Sequence, residues 1–533
     1  MGRTTVMNER IRVGVFSPND NRTWVRSDNL DLMLRHEKLL IDALTASGVE
    51  VIRGGDGLPR EDQIAWNREL VICQAKRLAG AKPDVLILNQ GSWTFPRDSV
   101  DAVDIYESAL QPLLNEARTA ASRLLLFGYK DTRVPGLVAL MAIAGALKTM
   151  GKSFQIAYGR IDEDPATLKD VLDKLRFFKR RAVAAESVIG AIARLPEQKY
   201  LQFGGESLRM PTATADPNLW QKLFKVTYDH RDQSEIVSRA LEMVKWSGKT
   251  GESHFAIVDG RVERAVEYKQ KTGNFDFSRA GLPSIGRFVL QVAMFYAARD
   301  IIEETGSTFC GIKCQDELSA NFCTACVATC YLGNDVAPDG TPQARIYPTS
   351  CENDMDTALT QLLLHLLSGQ PAAFGDFRDV EDGKLAIVNC GQHPTYFFGA
   401  PGESGQIKDL RAEFLGQEIF YAGGGAAVRG RTPGGLQVTV ARLGRENMRY
   451  CLAGTVVETV QVDPREHERY NVSWPILRGK IPLSERALAA MWPSNHLAFT
   501  FGDYTPHLVE LAEQLDIGYH VVDAAGNEHR RSS

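Results

Sequence analysis

The sequence predicts an α/β protein, two doubly wound α/β domains followed by a β-rich C-terminal domain, and three observations carry that prediction. Over roughly the first 160 residues short apolar runs alternate with amphipathic helical patterns, the grammar of a parallel sheet with helices on both faces. The same strand, loop and helix order restarts at YLQFGG. From about residue 370 the helices give way to closely spaced strands and turns.

These shifts place the expected boundaries at residues 1–165, 166–366 and 367–533. In the first domain IRVGVFS, VEVIRG, PDVLILNQ and RLLLFGY read as strands, with LDLMLRHEKLLIDALTASG as a helix between the first two. VPGLVALMAIAGALKTMGK is apolar but interrupted by glycine and ended by lysine, so it predicts a buried helix and no membrane span. The long helical pattern DEDPATLKDVLDKLRFFKRRAVAAESVIGAIARL leads into YLQFGG. Beyond it, Asp216 caps a helix whose first position is Pro217. In the third region KLAIVNCG, TYFFGA, EIFYAGGGAAVRG, LQVTVARL and RYCLAGTVVETVQV predict strands. ALAAMWPSNHLAFTFGDYTPHLVELAEQLDIGYHVVD then closes the chain as helix, strand, helix, strand.

The 533 residues are 44% hydrophobic and 24% charged, more than one core usually organises. A net charge of -5 gives no overall electrostatic reason to bind nucleic acid or an anionic membrane, so a small neutral or weakly charged partner fits better. The basic run KLRFFKRRAV suits a solvated or subunit-contacting helix face. A polar start running straight into a strand predicts no export and a cytoplasmic protein. Nine cysteines in such a chain predict reduced thiols, with at least one unpaired.

Five of them cluster: Cys310, Cys314, Cys323, Cys326 and Cys330. The spacing of the last three raises an iron–sulfur or zinc site. The Thr, Ala and Val between them favour one buried helical face, with cysteine acting as a small hydrophobe. FGGESL and YAGGGAAVRG lack the spacing and lysine of a phosphate-cradling loop, and no GxGxxG follows the first strand.

The stretch with most chemical content is SCENDMDTALTQLLLHLLSGQPAAFGDFRD, residues 350–379. Leu359, Leu362, Leu363, Leu366 and Leu367 have helical spacing from Asp354 to Ser368, and Gly369 with Pro371 ends the helix. That helix travels about 22 Å. A strand over Pro371 to Asp376 returns about 20 Å, so Glu352 and Asp376 finish at the same end of the fold. On spacing alone the acidic residues could simply cap a helix and complete a turn. His496, after a Ser-Asn turn and before LAFTF, is a third candidate.

These residues resemble the L-fucose isomerase family. SCENDM is similar to its Thr-Glu-Asn-Asp motif, FGDFR to its Phe-Ala-Asp-Val-Arg motif 24 residues later, and WPSNH to its Trp-Gly-Ala-Asn-His segment. FGYKDTRVPGLVALMAIAGAL, YLQFGGESLRM and YAGGGAAVRG extend the likeness over nearly the whole chain. The resemblance implies reversible aldose–ketose isomerisation of an L-fucose- or D-arabinose-like sugar on a divalent metal, most often Mn²⁺. Glu352, Asp376 and His496 would be the ligands, and the two carboxylates would also carry the proton. It further implies substrate contacts from Arg22, from Trp93 of a neighbouring subunit, from Lys313 or Gln315, and from Asn495, in a homohexamer. SCEND, GIKCQ and VNCGQHP depart from the family pattern. The departures, with Lys313 and Arg22, open a 6-substituted anionic sugar such as sulfoquinovose as an alternative, beside a non-catalytic sugar-binding protein.

Overall fold

The computed structural model describes residues 10–110, 123–245, 256–277, 285–417 and 422–532. It comprises two compact units, residues 1–186 and 187–533. The observed architecture is the class expected: parallel sheets alternating with helices, then a sheet-rich C-terminal region.

The first unit holds five parallel strands, β1 (Arg12–Phe16), β2 (Glu50–Arg53), β3 (Val85–Gln90), β4 (Leu124–Tyr129) and β5 (Phe154–Gly159), in the order β2-β1-β3-β4-β5. Successive side chains of a strand point to opposite faces. Leu86 and Leu88 therefore join one core with helices Arg68–Ala81, Pro96–Leu110 and Gly136–Thr149. Val85 and Ile87 join the other with helix Thr23–Ala46 and with Val171 to Phe178 of helix Pro165–Ala193. Burial on both faces explains why the central strands are unbroken apolar runs.

Helix Gly136–Thr149, expected to be buried, is buried on one face only. Leu140, Ile143 and Leu147 meet the core, while Leu137, Val138 and Met141 are exposed, Met141 by 66%. As an outer-layer helix it covers the sheet with one stripe, and its apolar composition overstated its burial. None of the described helices is long and apolar enough to cross a membrane.

In the second unit β6 (Lys199–Phe203) and β7 (Thr227–Arg231) precede the short β8 (Asn274–Asp276), followed by β9 (Phe309–Ile312) and β10 (Thr349–Cys351). The order β10-β9-β6-β7 makes a second parallel sheet. Asp216 accepts from the Asn218 amide and Pro217 opens the next helix, as the sequence predicts.

The later strands are β11 (Ala373–Glu381), β12 (Lys384–Val388), β13 (Glu413–Gly416), β14 (Ala426–Arg429), β15 (Gln437–Glu446), β16 (Arg449–Thr459), β17 (Ile476–Lys480), β18 (His496–Phe501), β19 (Gly518–Val522) and β20 (Glu528–Arg531). The antiparallel order β15-β18-β11-β12-β17-β16 closes through a β15–β16 pairing into a six-stranded barrel, and β19 and β20 extend it. Closure removes the exposed sheet edges among those six strands. The segment β13, β14 and β8 forms a separate small sheet.

TYFFGA, expected as a strand, instead forms a tight helical turn over Thr395–Phe398. The Tyr396 amide donates to Asn334 Oδ1, and Phe397 packs its ring on Phe499 and Phe501. The aromatic run fills the core and pairs with no strand. Of the expected strand EIFYAGGGAAVRG, residues 418–421 lie outside the described residues, and the strand observed is β14.

The cysteine segment also differs in part. The helix is Cys326–Leu332, so Cys323 lies ahead of it and the three sulfurs do not share one helical face. All three are buried in the apolar core, together with Cys310 and Cys314. All nine cysteines are free.

Candidate active site

Glu352 and Asp376 reach one place as the helix-and-return geometry requires. Helix Met355–Ser368 ends at Gly369 in a left-handed conformation, φ 68°, and β11 brings the chain back. The third residue comes from far along the chain. In the antiparallel β11–β18 ladder Asp376 and His496 are direct partners. Directly opposed residues on neighbouring strands present their side chains on the same face.

The geometry converges on one imidazole nitrogen. His496 Nε2 lies 3.5 Å from Glu352 Oε2 and 3.4 Å from Asp376 Oδ1. The other nitrogen is committed, since Nδ1–H donates to Asp354 Oδ2 at 2.7 Å. Asp354 is itself held by Arg442 Nη1, 2.8 Å from each carboxylate oxygen, and caps its helix by accepting from the Thr357 amide. Both Asp354 and Arg442 are buried. Burial alone would raise the Asp354 pKa, but Arg442 and His496 overcome it and hold this carboxyl well below the usual range. Burial likewise opposes charge on His496, yet bonds to Asp354 and Glu352 and the field of Asp376 lift its pKa to about 10.

Glu352 sits in a strained corner. Glu352 and Asn353 are both left-handed, φ 55° and 52°, a conformation that costs non-glycine residues of order 1 kcal/mol each. Asn353 secures it: its Nδ2 donates to the carbonyls of Gly204 and Gly205, and its Oδ1 accepts from the Tyr200 hydroxyl at 2.8 Å. Gly311 has to be glycine here, because a Cβ would stand 2.2 Å from the Tyr200 oxygen.

Asp376 is the more open carboxylate, its side chain 32% exposed. Burial away from water, then the charge of Glu352, push its pKa up to about 6 against the pull of His496. Asn389 Nδ2 donates to its Oδ2 at 3.2 Å and Asn495 Nδ2 to its Oδ1 at 3.4 Å. Because these donors favour the ionised form, Asn389→Ala should raise the Asp376 pKa further. We expect the acid limb of the kcat profile to move to higher pH with kcat down about tenfold, read from a pH–rate series; an unmoved limb refutes the role.

The remaining expected residues separate. Gln315 Nε2 donates to Glu352 Oε1 at 3.2 Å, so it is at the site. Lys313 pairs with Glu317 at 2.9 Å and lines a cavity of about 300 Å³ with Gly204, His230 and Gln233. Arg22 and Trp93 belong to the first unit, in loops after the adjacent strands β1 and β3. Arg22 is tied to Asp20 by three nitrogens and lies over Phe95. Both cations on which a charged-sugar reading relies are thus neutralised by their own neighbours.

Three residues escaped the sequence reading: the second role of Asp354, Arg442 and Asn389. An arginine inside the apolar strand LQVTVARL was the available signal for Arg442.

Residues 10–190 fit the family model described as "L-fucose isomerase, first N-terminal domain", and residues 387–522 fit "L-fucose isomerase, C-terminal domain". The L-fucose isomerase of Klebsiella pneumoniae (strain 342) is 23% identical over 538 aligned residues, 87% of this chain and 84% of its own length. Those of Citrobacter koseri and Salmonella heidelberg are each 23% identical over 85% of this chain. With the fold, these matches define the class: an aldose–ketose isomerase, an intramolecular oxidoreductase of carbohydrate metabolism. The chain belongs to the L-fucose isomerase family.

Proposed function

We propose that the chain interconverts an L-fucose- or D-arabinose-like aldose and its ketose with the help of a divalent cation such as Mn²⁺, through an enediol. The observation that carries this reading is the convergence of Glu352 and Asp376 on one imidazole nitrogen of His496 while Asp354 fixes the other. Among the described residues no group of three or more such side chains is closed into a ready metal centre. The donors nevertheless fit one: two carboxylates and a neutral imidazole suit a hard-to-borderline ion, and a carboxylate behind the imidazole is the usual orienting partner.

Such an ion, when bound, polarises a carbonyl and its neighbouring hydroxyl. The chain's own residues do the rest. Glu352 and Asp376 would take the proton from one sugar carbon and return it to the next. Gln315 and Asn495 each donate to one of the two carboxylates and hold it in place. Arg22 and Trp93 would serve the site of a neighbouring copy in a cytoplasmic homohexamer.

The first test is ketose formation from L-fucose and D-arabinose with Mn²⁺ and after chelation. Turnover that survives complete chelation refutes the metal. Binding gives an independent readout. The ion needs the Nε2 lone pair, and His496 is protonated below about pH 10. Between about pH 6 and 9 Mn²⁺ affinity should therefore rise about tenfold per pH unit as one proton is displaced. Calorimetry showing no pH dependence would contradict the assignment of His496.

A further inference from the structure

Two thiols that the proposed chemistry does not use stand directly behind the site. Cys351 ends β10 and immediately precedes Glu352, while Cys390 immediately follows Asn389, the residue bonded to Asp376. Their Sγ atoms are 3.7 Å apart. They come from separate elements, since β10 lies in the parallel sheet and Cys390 sits in the bend that follows β12 of the barrel. Cys390 is fixed in place: its carbonyl accepts from the Cys326 thiol at 3.1 Å and from Gln417 Nε2 at 2.6 Å. Exposure is 2% for Cys351 and 8% for Cys390, so Cys390 is the more accessible of the two.

We propose that Cys351 and Cys390 are a modification site, a thiol pair that peroxide converts to a disulfide tying the end of β10 to the bend after β12 and switching the isomerase off. The reaction balances with hydrogen peroxide as the two-electron oxidant. The Cys390 thiolate attacks one peroxide oxygen, the O–O bond breaks, and water leaves after protonation, giving a sulfenic acid. Cys351 sulfur then attacks the Cys390 sulfur, the S–O bond breaks, and a second water leaves. A dithiol reverses the sequence by exchange.

A disulfide needs its sulfurs about 2.05 Å apart, so closure draws the pair together by about 1.7 Å. One end of that movement is the left-handed corner at Glu352. The other is the Asn389 support of Asp376. Displacements of about 1 Å at reacting groups cost turnover on the order of a hundredfold. Both thiols are shielded from solvent, so the pair responds to sustained exposure and not to brief pulses.

The loss of turnover rests on the function proposed above, whereas the crosslink does not. The test uses full-length, Mn²⁺-loaded protein carrying Cys73→Ser, which removes the exposed cysteine. It is incubated with hydrogen peroxide, mapped as non-reduced peptides by mass spectrometry, and assayed before and after dithiothreitol. The expected result is a Cys351–Cys390 crosslink, at least a tenfold loss of turnover, and recovery on reduction. Cys390→Ser and Cys351→Ser, each compared with its own untreated activity, should resist. No crosslink between these two residues after prolonged peroxide overturns the proposal, as does a crosslink that leaves turnover unchanged. Should neither serine variant fold, the peptide map of the Cys73→Ser protein still decides. An untreated protein that turns over no sugar but forms the crosslink refutes the function and leaves the thiol pair standing.

Discussion

Glu352→Gln should lower turnover of the preferred sugar by about a thousandfold while leaving the fold intact. The amide keeps the shape of the carboxylate and can still accept from Gln315, but it can neither carry a proton nor place negative charge beside His496 Nε2. Ketose formation with saturating Mn²⁺, together with circular dichroism, separates lost chemistry from lost structure. Asp376→Asn should fall to a similar level, and the double variant should be little worse than either single one, because residues that act as a unit are not additive. Activity of Glu352→Gln within tenfold of the parent would remove Glu352 from proton transfer.

Asp354→Asn should do damage in two separable ways. Arg442 is buried with Asp354 as its bidentate partner, and removing one charge of a buried pair costs about 3–5 kcal/mol of folding stability. His496 loses the carboxylate that fixes its Nδ1 proton, and losing such an orienting partner typically weakens metal binding by about 10–100-fold. Denaturant unfolding and Mn²⁺ titration read the two effects. Combining Asp354→Asn with Arg442→Met should recover part of the stability, because no unpaired cation remains, and none of the affinity. Recovery of both would show that Asp354 acts only through Arg442.

The helix-and-return geometry around Leu359 to Leu367 was legible because it is local: helical spacing, a glycine stop and a short strand fix where Glu352 and Asp376 end. His496 could be named as a candidate, but not placed. Its position depends on β11 pairing with β18 some 120 residues later (Asp376 opposite His496), and nothing in either strand alone sets that register. Asp354 was read as a helix cap, which it is; its bonds to His496 and Arg442 are long-range and leave no local trace. TYFFGA misled because aromatic, β-branched-like composition suits both a strand and a buried turn, and the Asn334 contact that chooses between them lies 62 residues away. The choice between Lys313 and Gln315 needed side-chain directions at the end of β9, where one points to Glu317 and the other to Glu352.

The closed barrel has a consequence for how the enzyme comes into being. Glu352, Asp376 and His496 meet only after β11 has paired with β18, some 120 residues later in the second unit, so an unfolded or half-folded chain offers a cation no local seed. Structural zinc modules gather their ligands within a few residues and let the metal drive folding. On the metal-assisted reading proposed above, the polypeptide would finish first and be loaded afterwards. Cellular cation supply would then govern how much of the folded protein is switched on, while the yield of folded protein is set by the chain itself.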